Sequence, residues 1–232
     1  MEYLPNGFTL EIPPGTFPLS TDSMALAHFV TLPKRARVLD LGSGCGTLGL
    51  LLCAKDAGCQ VTGIELAESA HLGALENIHR NGLSDRMESI CADLCQIPSL
   101  FPAGQFSCVV SNPPYFSGGA SSASLPNARQ EICCSLFDLL HSAGWALKYG
   151  GDFFLVHKPE RLGEIITEAA RNNMSAKRLC LLRHKEGGPV TLILLQLRKG
   201  GKPGLNWEEV VLHDKAGHPT GDYRKIYHIE EA

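Results

Sequence analysis

The sequence predicts an α/β fold in which a mostly parallel sheet carries helices on both faces. Three observations lead to this prediction. Short apolar runs alternate with helical segments of about 10–15 residues from 37 to 198. A glycine-rich turn joins the first apolar run to the first of these helices. A short turn at 185–189 joins the last two runs, which suits an antiparallel pair.

Seven segments have the apolar, β-rich composition of buried strands. In chain order these predicted strands are 38–41, 60–65, 86–91, 105–110, 152–157, 176–183 and 190–197. The predicted helices between them are 47–57, 67–81, 129–147 and 159–172. Gly82 suits the end of the second helix, and Pro159 suits the first turn of the fourth.

The two ends of the chain read differently from this core. Residues 1–36 form an N-terminal extension with five prolines, in which 19–30 predicts a helix capped by Thr21, Asp22 or Ser23. Residues 199–232 form a C-terminal tail with a short apolar run at 210–213 and a polar end. Because no linker or internal repeat interrupts 1–232, we expect one domain with its core at 37–198.

Composition narrows the class of protein. The chain has 232 residues, of which 44% are hydrophobic and 19% charged, and this balance excludes a disordered or fibrous protein. Its apolar runs are too short to span a bilayer, and its N-terminus lacks the basic and apolar regions of a signal peptide. We therefore expect a soluble cytoplasmic protein with no membrane partner.

The nine cysteines predict reduced thiols rather than a metal centre. Their number is odd, no Cys-x-x-Cys pair occurs, and most lie inside apolar runs, where cysteine behaves as a small hydrophobic residue. Cys91 and Cys95 are the nearest thing to a ligand pair. Because no second pair or histidine cluster completes that pair, we predict no metal.

The net charge of −3 conceals an uneven distribution. Residues 1–144 carry −6, residues 145–232 carry +3, and the segment 171–202 alone carries +7. The average argues against a nucleic-acid partner, but phosphate contacts need only a local basic face. An ordinary solvated surface is the alternative interpretation of the same charges.

The glycine-rich turn, Asp40-Leu-Gly-Ser-Gly-Cys-Gly-Thr-Leu-Gly49, predicts a site for an adenosine-containing cofactor. Gly44, Gly46 and Gly49 have the spacing of a dinucleotide-binding loop, in which glycines let the backbone approach a ligand and the helix approach the strand. By itself this pattern fits nicotinamide dinucleotides as well as other adenosine cofactors.

Three carboxylates near the loop favour a cationic cofactor. Asp40 lies just before the glycines, where it would repel a pyrophosphate but would tolerate an ammonium and a sulfonium. Glu65 ends the next strand, where a carboxylate can bind ribose hydroxyls, and Asp93 follows the third strand. The structural alternatives are helix N-caps for Asp40 and Asp93, and a solvated strand end for Glu65.

Asn112-Pro-Pro-Tyr115 is the most specific motif in the chain, and it follows the fourth predicted strand. The lone pair of an exocyclic amine is delocalised into its ring, so acceptors for the amine hydrogens help it attack a methyl donor. The Asn112 side-chain oxygen and the Pro113 carbonyl are such acceptors, held by the two prolines. Tyr115 offers a ring on which a base can stack. The alternatives are a rigid turn at Asn112–Pro114 and a core aromatic at Tyr115.

The order of these motifs resembles the class I S-adenosylmethionine-dependent methyltransferases of the amino-methylating group. The resemblance covers about residues 17–198 and implies a Rossmann-like, seven-stranded sheet whose last strand is antiparallel. It implies S-adenosyl-L-methionine as cofactor and catalysis by Asn112, Pro113, Pro114 and Tyr115. The cofactor residues it implies are Thr21, Asp22, Asp40, Gly42, Gly44, Gly46, Glu65, Leu66, Asp93, Leu94 and Asn112.

Within that group the chain is most similar to the bacterial tRNA(Val) adenine N6-methyltransferases, which act on the anticodon loop. The stretches that carry this similarity are 17–27, 128–131, 156–162 and 197–204. It implies tRNA as the partner. The substrate-binding residues expected on this basis are Tyr115, Arg129, Lys158, Arg161, Lys177, Arg178, Arg183 and Lys185. An alternative for Lys158 and Arg161 is pairing with Glu160 and Glu164.

Several other functions remain open at this point. A protein glutamine N5-methyltransferase of the release-factor type shares both motifs but usually has a helical N-terminal domain, and it is disfavoured because only 36 residues precede Arg37 here. A DNA adenine N6-methyltransferase generally needs added target-recognition segments, and it is disfavoured because a chain of 232 residues leaves little room for them. A nicotinamide-dependent oxidoreductase is disfavoured by Asp40 and by the Asn-Pro-Pro-Tyr motif. A non-catalytic RNA-binding module is disfavoured by the intact acids and glycines.

Overall fold

The computed structural model describes residues 1–114 and 135–229. Its strands are β1 (Glu2–Tyr3), β2 (Thr9–Leu10), β3 (Arg37–Leu41), β4 (Gln60–Glu65), β5 (Met87–Cys91), β6 (Phe106–Ser111), β7 (Leu147–His157), β8 (Met174–Lys185), β9 (Val190–Lys199) and β10 (Asn206–His213). Its helices are α1 (Thr21–Phe29), α2 (Thr47–Lys55), α3 (Glu68–Arg80), α4 (Ile97–Leu100), α5 (Leu136–Ala146), α6 (Leu162–Arg171) and α7 (Gly221–Tyr227). Two residues of the predicted site, Tyr115 and Arg129, lie outside the described residues.

A single eight-stranded sheet organises the molecule, with the strand order β10-β8-β9-β7-β6-β3-β4-β5. All neighbouring strands are parallel except where β9 runs antiparallel between β7 and β8. The predicted α/β class and the antiparallel final strand pair are confirmed. Because the order reverses at β3 and β6, their carboxyl ends open a crevice, which is where ligands bind in sheets of this kind.

The prediction of seven strands is wrong by one. The eighth strand, β10, comes from the predicted C-terminal tail and pairs in parallel with β8 from Asn206 to His213. Only its short apolar run was visible in the sequence, because the first half of the strand is exposed and three of its four residues are polar. The segment after it forms α7, which packs on α1 and buries Ile226.

The N-terminal extension is held against α3 by two asparagines. Asn77 is fully buried; its side chain accepts from the amide of Glu11 at 2.8 Å and donates to the Glu11 carbonyl at 2.8 Å. Asn81 makes the same pair of bonds with Thr9, both at 2.8 Å. Each asparagine side chain therefore pairs with both the amide and the carbonyl of one residue of the extension, as a neighbouring strand would.

Helix boundaries differ from the predictions in specific ways. The N-cap of α1 is Ser20, whose hydroxyl accepts from the Ser23 amide, so the prediction of a cap at Thr21, Asp22 or Ser23 is wrong. The predicted helix 129–147 is described as α5, which begins after a Ser135–Asp138 capping box. The predicted helix 159–172 begins with a 3-10 turn at Pro159–Arg161 before α6.

Two hydrophobic cores cover the two faces of the sheet. One contains Phe154 and Val156 of β7 and packs against α1, α2, α3 and α7. The other contains Phe153 and Leu155 of the same strand and packs against α4, α5 and α6. This alternation is the period-2 pattern of a strand buried on both faces, and each fully buried side chain of this size contributes roughly 1.5–3 kcal/mol.

Two features of the described residues concern the expected partners. Within residues 1–114 and 135–229, no helix combines the length and apolar character needed to cross a membrane. The same residues contain no group of three or more His, Cys, Asp or Glu side chains arranged to bind a metal ion. Of the described cysteines, Cys91 and Cys95 are exposed and the other five are buried.

Candidate active site

A cavity of about 440 Å³ opens at the carboxyl ends of β3, β4, β5 and β6. Its size suits a ligand of nucleoside dimensions. The residues that line it are Phe17, Pro18, Ser20, Asp22, Ser23, Asp40, Gly42, Ser43, Gly44, Cys45, Thr47, Leu48, Ile64, Glu65, Leu66, Ala92, Asp93, Leu94, Asn112, Pro113 and Pro114. Most of the predicted cofactor residues are thus brought together around one space.

The glycine-rich turn adopts a backbone that other residues rarely accept. Gly42, Gly44 and Gly46 have φ values of 73°, 56° and 86°, in the left-handed region. The turn stays close to the sheet because the amides of Gly42 and Ser43 both donate to the Ile64 carbonyl, at 2.9 and 3.0 Å. Gly42 and Gly44 line the cavity, whereas Gly46 caps α2 and is not among the lining residues.

Glu65 at the end of β4 fastens this turn. One carboxylate oxygen accepts from the Gly44 amide at 2.8 Å and the other accepts from the Ala67 amide at 2.8 Å. The side chain is only 6% exposed, and the residue lines the cavity. Because each carboxylate oxygen has a second lone pair, Glu65 can hold the turn and still accept from a ligand hydroxyl.

Asp40 is the most unusual group in the cavity. It lies within β3, 1% exposed, and neither carboxylate oxygen has a well-formed hydrogen bond to any described residue. Burial and then the charge on Glu65 raise the pKa of Asp40 to about 7, against a smaller lowering by the Gly49 amide. Since Gly46 caps α2 instead, the helix-cap alternative for Asp40 is wrong. A buried carboxyl without a well-formed hydrogen bond suits a cationic ligand group.

Asp93 combines a structural contact with a place in the cavity wall. It is the N-cap of a short 3-10 turn, where one oxygen accepts from the Cys95 amide at 2.8 Å. The other carboxylate oxygen is not used by the cap. Leu66 and Leu94, which follow the ends of β4 and β5, supply apolar surface to the same cavity.

Asn112, Pro113 and Pro114 form the opposite wall, at the end of β6. The side-chain amide of Asn112 donates from Nδ2 to the Ser23 hydroxyl at 3.0 Å. This bond leaves Oδ1 as the atom of the side chain that can accept from a ligand. The preceding residue, Ser111, is fully buried and donates to the Leu41 carbonyl at 2.7 Å, which fixes the end of β6 against β3.

The two neighbouring residues Thr21 and Asp22 have different environments. Asp22 lines the cavity, and burial raises its pKa, against the lowering effect of the Lys158 charge. Thr21 is not among the lining residues, and its hydroxyl lies 2.7 Å from the Tyr227 hydroxyl of α7. The structure thus brings only one of this predicted pair to the cavity.

Several basic residues that were predicted to contact substrate form ion pairs, hydrogen bonds or ring contacts within the protein. Arg178 stacks on the Phe29 ring with its guanidinium carbon 4.2 Å from the ring centroid, and it pairs with Glu208 at 2.9 Å. Arg183 forms a close ion pair with Glu209. Lys177 donates to the Lys202 carbonyl at 3.0 Å. Both glutamates belong to β10, so the unexpected strand neutralises part of the basic segment.

Strand direction separates the basic residues into two groups. His157 and Leu181 are both level with Ile193, so Arg183 and Lys185 lie further along β8, toward the edge that carries Asn112. Lys158 and Arg161 follow β7 at the same edge. Arg161 also forms a bidentate pair with Glu164 at 2.7 Å, as the structural alternative anticipated.

The remaining cations lie toward the opposite end of the sheet. Arg198 pairs with Asp152 near the middle of β7 at 2.8 Å, and the Lys199 ammonium donates to two carbonyls at the end of α5. Lys177 lies near the start of β8. The +7 segment is therefore not one continuous basic face at the cavity.

Sequence reasoning missed several residues of the cavity wall, including Phe17, Pro18, Ser23 and Thr47. Phe17 and Pro18 precede the first helix, in the stretch 17–27, which carries part of the family resemblance but did not by itself assign them to the cavity. Ser23 is brought beside Asn112 although 89 residues separate them. The sequence at 19–30 predicts this helix and its few polar residues, but it does not predict which distant residue they contact.

The comparisons with known proteins agree with this geometry. The sequence profile of the family described as methyltransferase small domain matches residues 19–175. A tRNA1(Val) (adenine(37)-N6)-methyltransferase of Photobacterium profundum is 30% identical over 202 residues, covering 84% of each chain. An enzyme of the same name from Dickeya chrysanthemi is 31% identical over 191 residues, covering 81% of this chain and 75% of its own.

The fold also has solved relatives. A predicted O-methyltransferase from Agrobacterium tumefaciens superimposes with a TM-score of 0.74 at 22% identity, covering 89% of this chain and 95% of its own. At that identity the likeness concerns the fold alone. Taken with the sequence matches, these findings show that the chain belongs to the methyltransferase small domain family, in the group of the tRNA1(Val) (adenine(37)-N6)-methyltransferases, and is an S-adenosylmethionine-dependent methyltransferase.

Proposed function

We propose that this protein methylates the exocyclic N6 amine of adenine 37 in the anticodon loop of tRNA1(Val). The observation that carries the proposal is Asn112 at the cavity wall, with Nδ2 bonded to Ser23 and Oδ1 left to accept from an amine. The named substrate of relatives at about 30% identity supports the same acceptor. Family membership removes the oxidoreductase alternative.

The cavity suits the cofactor on chemical grounds. S-adenosylmethionine, when bound, supplies an electrophilic methyl group on a sulfonium. Asp40, buried without a well-formed hydrogen bond, provides the negative charge that an ammonium or sulfonium requires. Glu65 has lone pairs left for a ribose diol, and Leu66 and Leu94 offer apolar contact to a planar base. These assignments give Asp40, Glu65 and Asp93 binding roles rather than chemical ones.

Asn112 acts on the acceptor. Its Oδ1 accepts a hydrogen from the adenine amine, which draws the nitrogen lone pair out of conjugation and directs it toward the methyl carbon. The Pro113 carbonyl is the proposed second acceptor, and Tyr115 is the proposed stacking partner for the base. Positioning of the amine in line with the methyl group then supplies most of the rate.

A loop nucleotide is the acceptor best suited to this wall. Adenine must leave its stack to reach Asn112, which costs least for a base that is already unpaired. Four cations at the carboxyl edge are the proposed contacts to the RNA backbone: Lys158, Arg161, Arg183 and Lys185. Arg129, Lys177 and Arg178 remain predictions as substrate contacts. The proposed location is the cytoplasm, where tRNA is modified.

The test uses unmodified tRNA1(Val), made by transcription, incubated with the protein and isotopically labelled S-adenosylmethionine. Nucleoside mass spectrometry should detect N6-methyladenosine, and a transcript with guanine at position 37 should accept no methyl group. Labelling of a release-factor peptide or of duplex DNA, with none in the tRNA, would replace this proposal by the glutamine or DNA alternative.

A further inference from the structure

We propose that Ser23 is a positioning residue that holds the Asn112 side chain in the orientation that methyl transfer requires. The proposal rests on the proposed function. Ser23 is the third residue of α1 and is buried, yet it lines the same cavity as Asn112. Its hydroxyl oxygen accepts from Asn112 Nδ2 at 3.0 Å, and this bond joins α1 to the end of β6.

The orientation matters because the two ends of an amide are opposite in character. Oδ1 only accepts, Nδ2 only donates, and the adenine amine presents hydrogens that need an acceptor. A 180° rotation of the Asn112 amide would place the Nδ2 hydrogens against the hydrogens of the adenine amine, so no hydrogen bond could form between the two groups. A serine hydroxyl can bond either end when the site is empty, but with the amine present it supplies the acceptor that Nδ2 needs.

Without Ser23 the productive orientation would leave a half-buried N–H group unpaired. Asn112 is half-buried, and Ser23 provides the one acceptor that Nδ2 contacts among the described residues. Loss of that acceptor carries a desolvation penalty and lets water or the substrate select another orientation. The effect falls on the bound amine rather than on the cofactor.

The placement of α1 does not depend on Ser23 itself. Ser20 caps the helix, Phe29 packs edge-on against Phe154 with centroids 6.0 Å apart, and Thr21 bonds Tyr227 across to α7. Removing the Ser23 hydroxyl therefore leaves the helix cap intact, together with two independent contacts that keep α1 in position. This separation lets a local effect on Asn112 be told apart from movement of the helix.

The experiment compares Ser23→Ala and Ser23→Thr in single-turnover methylation of unmodified tRNA, with S-adenosylhomocysteine affinity measured by calorimetry. Ser23→Ala should slow methyl transfer about tenfold, which corresponds to one net hydrogen bond. Ser23→Thr keeps the hydroxyl and should restore the rate, and both variants should bind S-adenosylhomocysteine as the wild type does. In an Asn112→Ala background, Ser23→Ala should have no further effect.

Ala27→Gly is the matched control, because it weakens the same helix one turn beyond Ser23, at a residue that does not line the cavity. It should lower thermal stability while leaving the methyl-transfer rate unchanged. An equal rate in wild type and Ser23→Ala, or an additive loss in the Asn112→Ala background, would overturn the role of Ser23.

A second measurement needs no substrate. In protein labelled with ¹⁵N-asparagine, Ser23→Ala should shift the Asn112 side-chain amide resonances, whereas Ala27→Gly should not. Unchanged resonances would overturn the contact itself. Failure of the wild type to methylate tRNA, with the resonance shift present, would instead overturn the proposed acceptor and leave the positioning of Asn112 supported.

Discussion

The two walls of the cavity are built in different ways. On the wall formed by β3, β4 and β5, side chains are held by bonds to backbone nearby in space, as when Glu65 accepts from the amides of Gly44 and Ala67. The Asn77 side chain also donates from Nδ2 to the Cys45 carbonyl at 3.0 Å, and this bond holds the glycine turn against α3. On the wall formed by β6 and α1, the Asn112 side chain is joined to the rest of the protein through Ser23.

This difference separates binding from chemistry. A ligand that contacts a wall held by several such bonds meets a preformed site, whereas an acceptor group with one partner is sensitive to that partner. We therefore expect substitutions on the first wall to change cofactor affinity and substitutions on the second to change the rate of methyl transfer. The predictions below test this division.

The largest effect should come from Asn112→Ala. Loss of the amide oxygen removes an acceptor aimed at the reacting amine, so single-turnover methyl transfer should fall about 10²–10³-fold. S-adenosylhomocysteine affinity, measured by calorimetry, should change little. A rate close to wild type would remove Asn112 from the mechanism, and a parallel loss of affinity would contradict the division between the walls.

Glu65→Gln should have the next largest effect, on binding rather than on rate. The amide has one acceptor oxygen, so the Gly44 or Ala67 amide loses its partner, and the charge that a ribose diol would meet is removed. Affinity for S-adenosylhomocysteine should fall about 10–100-fold. At saturating cofactor the methyl-transfer rate should recover; a persistent rate defect would count against a binding role.

Asp40 should make the stability of the free protein depend on pH. Its pKa is about 7 in the folded protein against 3.8 as the reference value, so between these values the folded state binds more protons than the unfolded state. Stability should therefore fall as pH rises through this window, by on the order of 2–3 kcal/mol between pH 5 and pH 8. Urea unfolding at pH 5 and pH 8 measures it, and Asp40→Asn should abolish this part of the change.

The same carboxyl should make cofactor binding pH-dependent in the opposite sense. The ionised form attracts an ammonium, which S-adenosylhomocysteine retains although it lacks the sulfonium, so S-adenosylhomocysteine should bind more tightly as pH rises through about 7. Calorimetry in buffers of different ionisation enthalpy should detect proton release below that pH. An Asp40→Asn protein with an unchanged pH profile would show that another group is responsible.

The smallest effects should distinguish two basic residues that the sequence treats alike. Lys185→Ala, at the cavity edge, should weaken tRNA binding two- to fivefold and reduce the salt dependence by about one phosphate contact, with little change in stability. Arg178→Ala should instead lower the free energy of unfolding by about 1–2 kcal/mol, because it loses Phe29 and Glu208. Salt titrations of tRNA binding and urea unfolding measure the two; the reverse pattern would place the RNA on the β10 side.

Local chemistry explains why the first wall was predictable. Positive φ values demand glycine at 42, 44 and 46, and Glu65 follows its own strand, so their types and spacing are written in one stretch of sequence. The backbone at the end of β6 was equally predictable, because two prolines after a buried strand restrict that segment to few conformations. The partners of those residues were not predictable, since Ser23 and Asn112 meet only through the packing of α1 on the sheet.

The sequence by itself determined the α/β class, the seven strands β3–β9 in their order along the chain, the glycine turn with its carboxylates, and the Asn-Pro-Pro motif at a sheet edge. Each depends on periodicity, turn chemistry or spacing within a short segment. The tertiary structure decided the eighth strand, the bond between Ser23 and Asn112, and the division of the basic residues between ion pairs and the cavity edge. These features depend on contacts between segments that are distant in the sequence, and neither net charge nor local pattern predicts which segments will pack together.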